Sequence, residues 1–518
     1  MFGFSTILAV IAVFAIAWAM EGRERRPVLV LPALTALAVA VGVRLFSGTG
    51  LWLTTSGLFL DLGAGLLVAG SYLKLRNAEP RRFLLPAALS LFLASIAYIP
   101  TATQQILGRT GSDTAPAGTP SDAQRTALDR FLLELGPDDN ISEVASILDR
   151  YGARAERAFP SVTLQDDEDL AQYFLVFADA RRRERLMAAL LADNENVDSA
   201  ELDVAVEAIP AIEVRGGLPE LELTRARAND PRLNQQWGLE RTGANELHER
   251  LRSVTPDRTA IVAIVDTGVD EKHEDIRDSF DQSPGTGDRN GHGTHCAGVA
   301  GAATNNAIGI ASYNWESRFV KIRSYKALAD NGGGSAETVA QAIIDATRDG
   351  ADVISLSLGS WSPVPPKVEV DAVEYALDNG VIVVAAAGNA AADAKEHSPA
   401  NIDGVITVSA VDQSNRRASF SNRNAGLKRP IAAPGVGILS LKPGNQYVAL
   451  NGTSMATPHV AGLLGVMRAL NPDLSAGEAY ELLRRTGEDG PDTSGVGRTV
   501  DAAAAIEAVQ AGIFASAG

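Results

Sequence analysis

The stretch from Ile261 to Asp270, IVAIVDTGVD, is a β-branched apolar run that stops at an acidic turn. A run that is apolar at every position reads as a strand buried on both faces of a parallel sheet. Runs of the same kind recur at about Phe319–Ser324, Val353–Leu356, Val381–Ala385 and Val405–Ala410, and the first run itself begins near Ala260. Helices are expected between them at His295–Gly301, Ala336–Arg348 and Lys367–Asp378, and after them at Ser454–Leu470. Alternating strands and helices are what a doubly wound parallel sheet requires, so residues 229–518 are expected to form an α/β domain. Ligands of such sheets bind beyond the carboxyl ends of the strands. Asp266 falls there, and so does Asn389, which ends VIVVAAAGN (Val381–Asn389).

Two further motifs carry chemistry. In NGTSMATPHVAG (Asn451–Gly462), Ser454 follows a turn-forming Asn-Gly-Thr and enters a helix start. A serine hydroxyl is a weak nucleophile at neutral pH and needs a base beside it and donors for the oxyanion. A helix N-terminus offers free N–H groups and positive dipole where that charge develops. In GHGTHCAGV (Gly291–Val299), His292 stands among small residues that lead into a helix. Each motif alone has an ordinary reading. Ser454 would serve as a helix cap, and Asp266 as a turn residue. His292 and His295 have the spacing of a metal pair, but no third ligand cluster of the right type stands nearby, and Cys296 alone does not make one. The ordinary readings do not predict four motifs in one order.

That order, Asp266, His292, Asn389 and Ser454, resembles the subtilisin-family serine proteases over roughly Asn229 to Ala515. The resemblance implies a subtilisin-like peptidase with defined roles. Ser454 attacks the scissile carbonyl, His292 takes its proton and returns it to the leaving amine, and Asp266 holds the imidazole. The Asn389 amide and the Ser454 N–H bind the oxyanion, a donor worth roughly 3 kcal/mol of barrier in subtilisin itself. It also implies two substrate-lining segments, Asn331–Ser335 with Gly332, Gly333 and Gly334, and Leu356–Ser360 with Ser357, Leu358 and Gly359. Their backbones would pair with an extended peptide as added strands. The small residues Ala385 to Gly388 imply an unobstructed primary pocket. The loop Thr304–Ile310 matches the family's calcium loop, with Thr304, Asn306, Ile308 and Ile310 as ligands and Asp230 and Asp275 supplying carboxylates. Hard oxygen donors of this kind suit a structural calcium ion.

The formal charge of −17 is unevenly spread. Residues 1–100 carry eight Lys/Arg against four acids, which leaves −21 on the remainder. An acidic remainder argues against nucleic acid as a partner. One cysteine excludes an internal disulfide framework, and Cys296 reads as a packing residue. The first hundred residues read as a four-helix transmembrane domain, with apolar runs at about Ser5–Met20, Pro27–Phe46, Leu51–Leu73 and Phe83–Ile99. The basic residues follow the first run instead of preceding it, which is the wrong flank for an export signal. The basic loops Glu21–Arg26 and Lys74–Arg82 then lie in the cytoplasm and everything after about Thr101 outside it, giving a multi-pass cell-membrane protein. Asp61 sits inside the third span.

Residues 101–124 read as a linker rich in Thr, Ser, Gly, Ala and Pro. Residues 125–209 alternate as strand, helix, strand, strand, helix, strand. The candidates are Phe131–Leu135, Ile141–Tyr151, Ala153–Phe159, Gln172–Phe177, Ala180–Leu191 and Glu201–Glu207. This suits a small ferredoxin-like α+β domain. It resembles a subtilisin-type propeptide, which implies a folding assistant and intramolecular inhibitor. Residues 210–228 would connect it to the catalytic domain, and a processing cut between Ile209 and Ala228 would also release that domain from its membrane anchor.

Overall fold

A computed structural model of the chain describes residues 130–214, 218, 228–281, 285–491 and 495–512. The four expected membrane spans and the linker fall outside the described residues. Among the described residues no helix is long and apolar enough to cross a membrane. Residues 119–518 cluster as one unit.

The first element group is the expected ferredoxin-like layer: β1 (Arg130–Leu135), α1 (Ala145–Tyr151), β2 (Arg154–Arg157), β3 (Tyr173–Phe177), α2 (Arg183–Leu191) and β4 (Val197–Leu202). The strands form an antiparallel sheet in the order β2-β3-β1-β4. Period-2 alternation splits its apolar residues between two cores. Phe131, Leu133, Phe174 and Val176 pack with Leu148 of α1 and with Leu186 and Leu190 of α2. Leu132, Tyr173 and Leu175 join the core of the catalytic domain.

One expectation is corrected here. Glu201–Glu207 is not one strand but two, β4 and then β5 (Ala205–Ala208). Asp203 breaks the run because its carboxylate turns away to accept the Glu337 N–H and an Arg130 ion pair. The chain then leaves the layer. β5 and the two-residue β6 (Ile212–Glu213) pair with strands of the catalytic domain, so residues 210–214 are not a free connector.

The catalytic domain contributes α3 (Trp237–Arg241), α4 (Ala244–Leu251), β7 (Ala260–Asp266), α5 (His292–Gly301), β8 (Val320–Lys326), β9 (Gly333–Ser335), α6 (Ala336–Arg348), β10 (Val353–Leu356), β11 (Leu358–Trp361), α7 (Lys367–Asp378), β12 (Ile382–Ala386), β13 (His397–Ser398), β14 (Ile406–Val411), β15 (Pro430–Pro434), β16 (Ile438–Lys442), β17 (Gln446–Asn451), α8 (Thr453–Leu470), α9 (Ala476–Thr486), β18 (Arg498–Thr499) and α10 (Ala502–Gln510). Seven of these strands form a parallel sheet in the order β18-β15-β14-β12-β10-β7-β8. The five expected strands form its middle and one edge, and β15 and β18 were not anticipated. Val262 and Ile264 face a core shared with α5 and α8, whereas Ala263 and Val265 face α6 and α7. A sheet covered on both faces explains why its strands are apolar throughout. The β2-β3-β1-β4 sheet lies across α6 and α7 and extends that second core.

Candidate active site

Asp266 ends β7, and residues 267–291 connect it to α5, whose first residue is His292. The expected helix start at His295 is therefore one turn late. Two local features set this geometry. Asp288 accepts the Gly291 and Thr294 N–H groups at 2.9 and 3.0 Å and so caps the start of α5. Gly293 then packs so closely on the loop that a Cβ there would lie 2.1 Å from the Gly268 carbonyl oxygen. Only glycine permits that approach.

The His292 Nδ1–H donates to both Asp266 carboxylate oxygens, at 2.8 and 2.9 Å. Asp266 is fully buried and also accepts the Thr267 N–H. Burial works to lower the His292 pKa, but the Asp266 carboxylate, helped by Asp288, outweighs it and holds the ring above its ordinary 6.5. This fixes the tautomer, leaving Nε2 to act on a hydroxyl.

Ser454 is the second residue of α8, fully buried. Pro458 stands four residues on and has no N–H, so the Ser454 carbonyl lacks its helical partner. It accepts instead from Ser357 Oγ at 3.0 Å and from Cys296 Sγ at 3.4 Å. That contact gives Cys296 a structural task, and burial pushes its thiol well above the ordinary value. Asp266, His292 and Cys296 lie close together, but the carboxylate and Nδ1 are committed to each other and the thiol stays protonated. His295 is neutral, with burial pulling it down to about 3, and its Nε2 bonds the Ile438 and Val448 carbonyls. It ties α5 to the β16–β17 hairpin.

Asn389 follows β12. Its Oδ1 accepts both the N–H and the hydroxyl of Thr453, each at 2.9 Å, which aims Nδ2 into the cleft. Thr453 and Asp288 are functional positions missed in the sequence. The signal for Asp288 was its place three residues before Gly291; Thr453 gave none, since its partner is 64 residues away.

The two expected substrate-lining segments flank a strand of the chain itself. β5 lies between β9 and β11, antiparallel to both. Val206 and Glu207 pair with Gly334 and Gly333, and Glu207 and Ala208 with Gly359 and Leu358. The Ala208 N–H donates to the Gly332 carbonyl at 2.8 Å, and the Ile209 N–H to that of Ser357 at 3.4 Å. Past Ser454 the chain continues as β6 against β17, and the Val214 N–H donates to the Ala449 carbonyl. A groove of about 540 Å³ beside it is lined by Glu207, Asn290, His292, Lys442 and Leu450.

The expected calcium residues also converge. Asp230 and Asp275 are buried, and burial pushes their carboxyls up to about 6 and about 7. Asp230 accepts the Asn305 and Asn306 N–H groups, and Asp275 accepts Asn306 Nδ2 and the Ile310 N–H. Among the described residues neither has a Lys or Arg partner. Asn305, Ala307 and Gly309 alternate in the left-handed region, which folds the loop around these acids. Thr304 sits at its start with its hydroxyl on the Ser312 carbonyl, and Ile308 donates its N–H to Asn306 Oδ1. Two buried carboxylates without a cation fit a hard divalent ion.

A buried Asp–His pair, a serine on a helix N-terminus and an asparagine amide aimed at the same cleft define a serine hydrolase that acts on extended peptides. The subtilase family model matches residues 257–501. An alkaline protease of Shouchella clausii is 38% identical over 297 residues, covering 56% of this chain and 71% of that protein. Subtilisin Savinase of Lederbergia lenta is 40% identical over 255 residues, covering 48% and 90%. In structure, fervidolysin from Fervidobacterium pennivorans, a keratinolytic enzyme, aligns with a TM-score of 0.61 at 26% identity, over 73% of this chain and 61% of its own. The chain belongs to the subtilase family and is a subtilisin-like serine endopeptidase.

Proposed function

We propose that this protease is held in the cell membrane by residues 1–100, acts on proteins outside the cytoplasm, and is kept silent by residues 125–209 until it processes itself. The observation that carries the inhibitory part is β5, which occupies the position of a substrate strand between β9 and β11. The layer before it is bonded to both substrate-side helices. Glu201 accepts the Lys367 and Val368 N–H groups at the start of α7, and Asp203 accepts the Glu337 N–H at the start of α6. Lys367 Nζ donates to Glu134, and the Tyr173 hydroxyl to Asp371 at 2.6 Å. The four apolar runs and the placement of their basic loops support the anchor.

Once the cleft is free, a substrate takes the place of β5. Ser454 Oγ bonds to the scissile carbon as His292 Nε2 takes its proton, and the C–N bond breaks as that proton passes to the leaving amine. Water then repeats the sequence on the acyl-enzyme. A calcium ion held by Asp230, Asp275, Asn306 and carbonyls of the 304–310 loop would supply structural charge balance.

Expression of the full chain tests the reading. The Ser454→Ala chain, which cannot cut itself, should stay in the carbonate-resistant membrane fraction and leave casein intact, whereas casein hydrolysis by the wild type should appear in the soluble fraction as processing releases the domain. Deleting residues 1–124 should make even the Ser454→Ala protein soluble. Equal hydrolysis by Ser454→Ala, or a full chain that washes off the membrane, would overturn it.

A further inference from the structure

The strand in the cleft is threaded past the nucleophile without being set up for cleavage. Acylation needs one carbonyl to meet the serine at its carbon and the oxyanion donors at its oxygen. Here two successive carbonyls share those groups. Ser454 Oγ donates to the Ile209 carbonyl at 3.3 Å and to Ser357 at 3.2 Å, while Asn389 Nδ2 donates to the next carbonyl, Pro210, at 3.0 Å. His292 Nε2 is buried without a partner, so the hydroxyl is turned away from its base.

The residue between these contacts is a proline, and it obstructs both available bonds. At Ile209–Pro210 the leaving nitrogen belongs to the pyrrolidine ring, a tertiary amide whose Cδ fills the place where other residues carry hydrogen. At Pro210–Ala211 the chain must shift by one residue. Pro210 then has no N–H to give the Ser357 carbonyl, which now takes the Ile209 N–H at 3.4 Å. The shift also moves every β5 side chain to the opposite face and breaks its pairing with β9 and β11. The pairing of β6 with β17 on the far side holds the strand against such a slip.

We infer that Pro210 is the specificity-determining residue of self-processing: it keeps the segment Ala205–Val214 as an uncut occupant of the cleft, so that the first processing cut falls at another bond. The inference rests on the reading of residues 125–209 as an intramolecular inhibitor. With Pro210→Ala the scissile bond becomes a secondary amide, and its leaving group an ordinary primary α-amine. Ser454 Oγ then bonds to the Ile209 carbonyl carbon, the C–N bond to residue 210 breaks, and the Ser454 proton passes through His292 to the new amine.

The test uses the full chain as wild type, Pro210→Ala and Pro210→Gly, each also with Ser454→Ala. Mass spectrometry reads the new N-termini, and a fluorophosphonate probe reads Ser454. The wild-type bonds on either side of Pro210 should stay intact. Both substitutions should give a terminus at position 210 at least about a hundredfold faster, the scale of a realigned reacting group, and only when Ser454 is present. A wild-type cut by Ser454 at either bond overturns the inference, as does an uncut Pro210→Ala chain whose serine labels. If neither substituted chain folds, the wild type decides alone: intact bonds after full activation support the inference, and cut ones refute it. Failure of the protease reading is distinct, since casein would then survive every form.

Discussion

Asn389 shows how a side chain is aimed before substrate arrives. With Oδ1 held twice by Thr453, the amide needs no reorganisation when charge develops on a substrate oxygen. Asn389→Ala should therefore lower kcat by about 10² to 10³, the cost known for the same donor in subtilisin, and leave KM nearly unchanged. A KM effect as large as the kcat effect would place the amide in ground-state binding instead. His292 makes a second prediction, with a definite sign. It must be neutral to take the serine proton, and Asp266 and Asp288 raise its pKa, so the protonated form persists to higher pH. The acid limb of kcat/KM should fall about tenfold per pH unit below a midpoint above 6.5. Asp288→Asn removes one raising charge and should move that midpoint down; a stationary or rising midpoint would refute the assignment. Asp266, His292, Asn389 and Ser454 were legible as candidates because each lies inside a local motif. Thr453 and Pro210 were not, because their roles exist only where distant segments meet.

At the scale of elements, α6 and α7 are where the ferredoxin-like layer is secured. The first N–H groups of a helix have no partner within it, and here Glu201 and Asp203 supply partners from another part of the chain. An N-cap side chain contributes about 1 kcal/mol, so Glu201→Ala should raise amide hydrogen exchange at Lys367 and Val368 roughly fivefold and shorten the lag before caseinolysis. Unchanged exchange there would mean that the apolar contact of Leu132, Tyr173 and Leu175 holds the layer alone. The alternation of this layer was readable, as was its ferredoxin-like order. The break between β4 and β5 was not. Leu202, Val204 and Val206 keep a period of two through Glu201–Glu207, and only the pull on Asp203 of the Glu337 N–H, which the Ser335 capping box leaves without a partner inside α6, explains why the chain changes sheets there.

For the whole molecule, the parallel sheet was written plainly in its central strands, since burial on both faces demands continuous apolar runs. Its far edge was not. β15 is bounded by Pro430 and Pro434, and β18 is only two residues long, so neither has the length or composition that marks a strand. The remaining whole-molecule question is what balances Asp230 and Asp275. Two buried carboxylates pushed up to about 6 and about 7 weigh against the folded state whenever both are ionised. A calcium ion would reverse that, and it stabilises only as far as it binds the folded chain in preference to the unfolded one. At a hundred times its dissociation constant that amounts to about 2.7 kcal/mol, so chelation should lower the Tm of the Ser454→Ala protein by roughly 3–5 °C. Using the inactive protein keeps self-digestion out of the measurement. Asp275→Asn should melt at a temperature indifferent to chelator. If the Ser454→Ala protein loses the same number of degrees with and without Asp275→Asn, the ion is held elsewhere, and the 304–310 loop is closed by its hydrogen bonds alone.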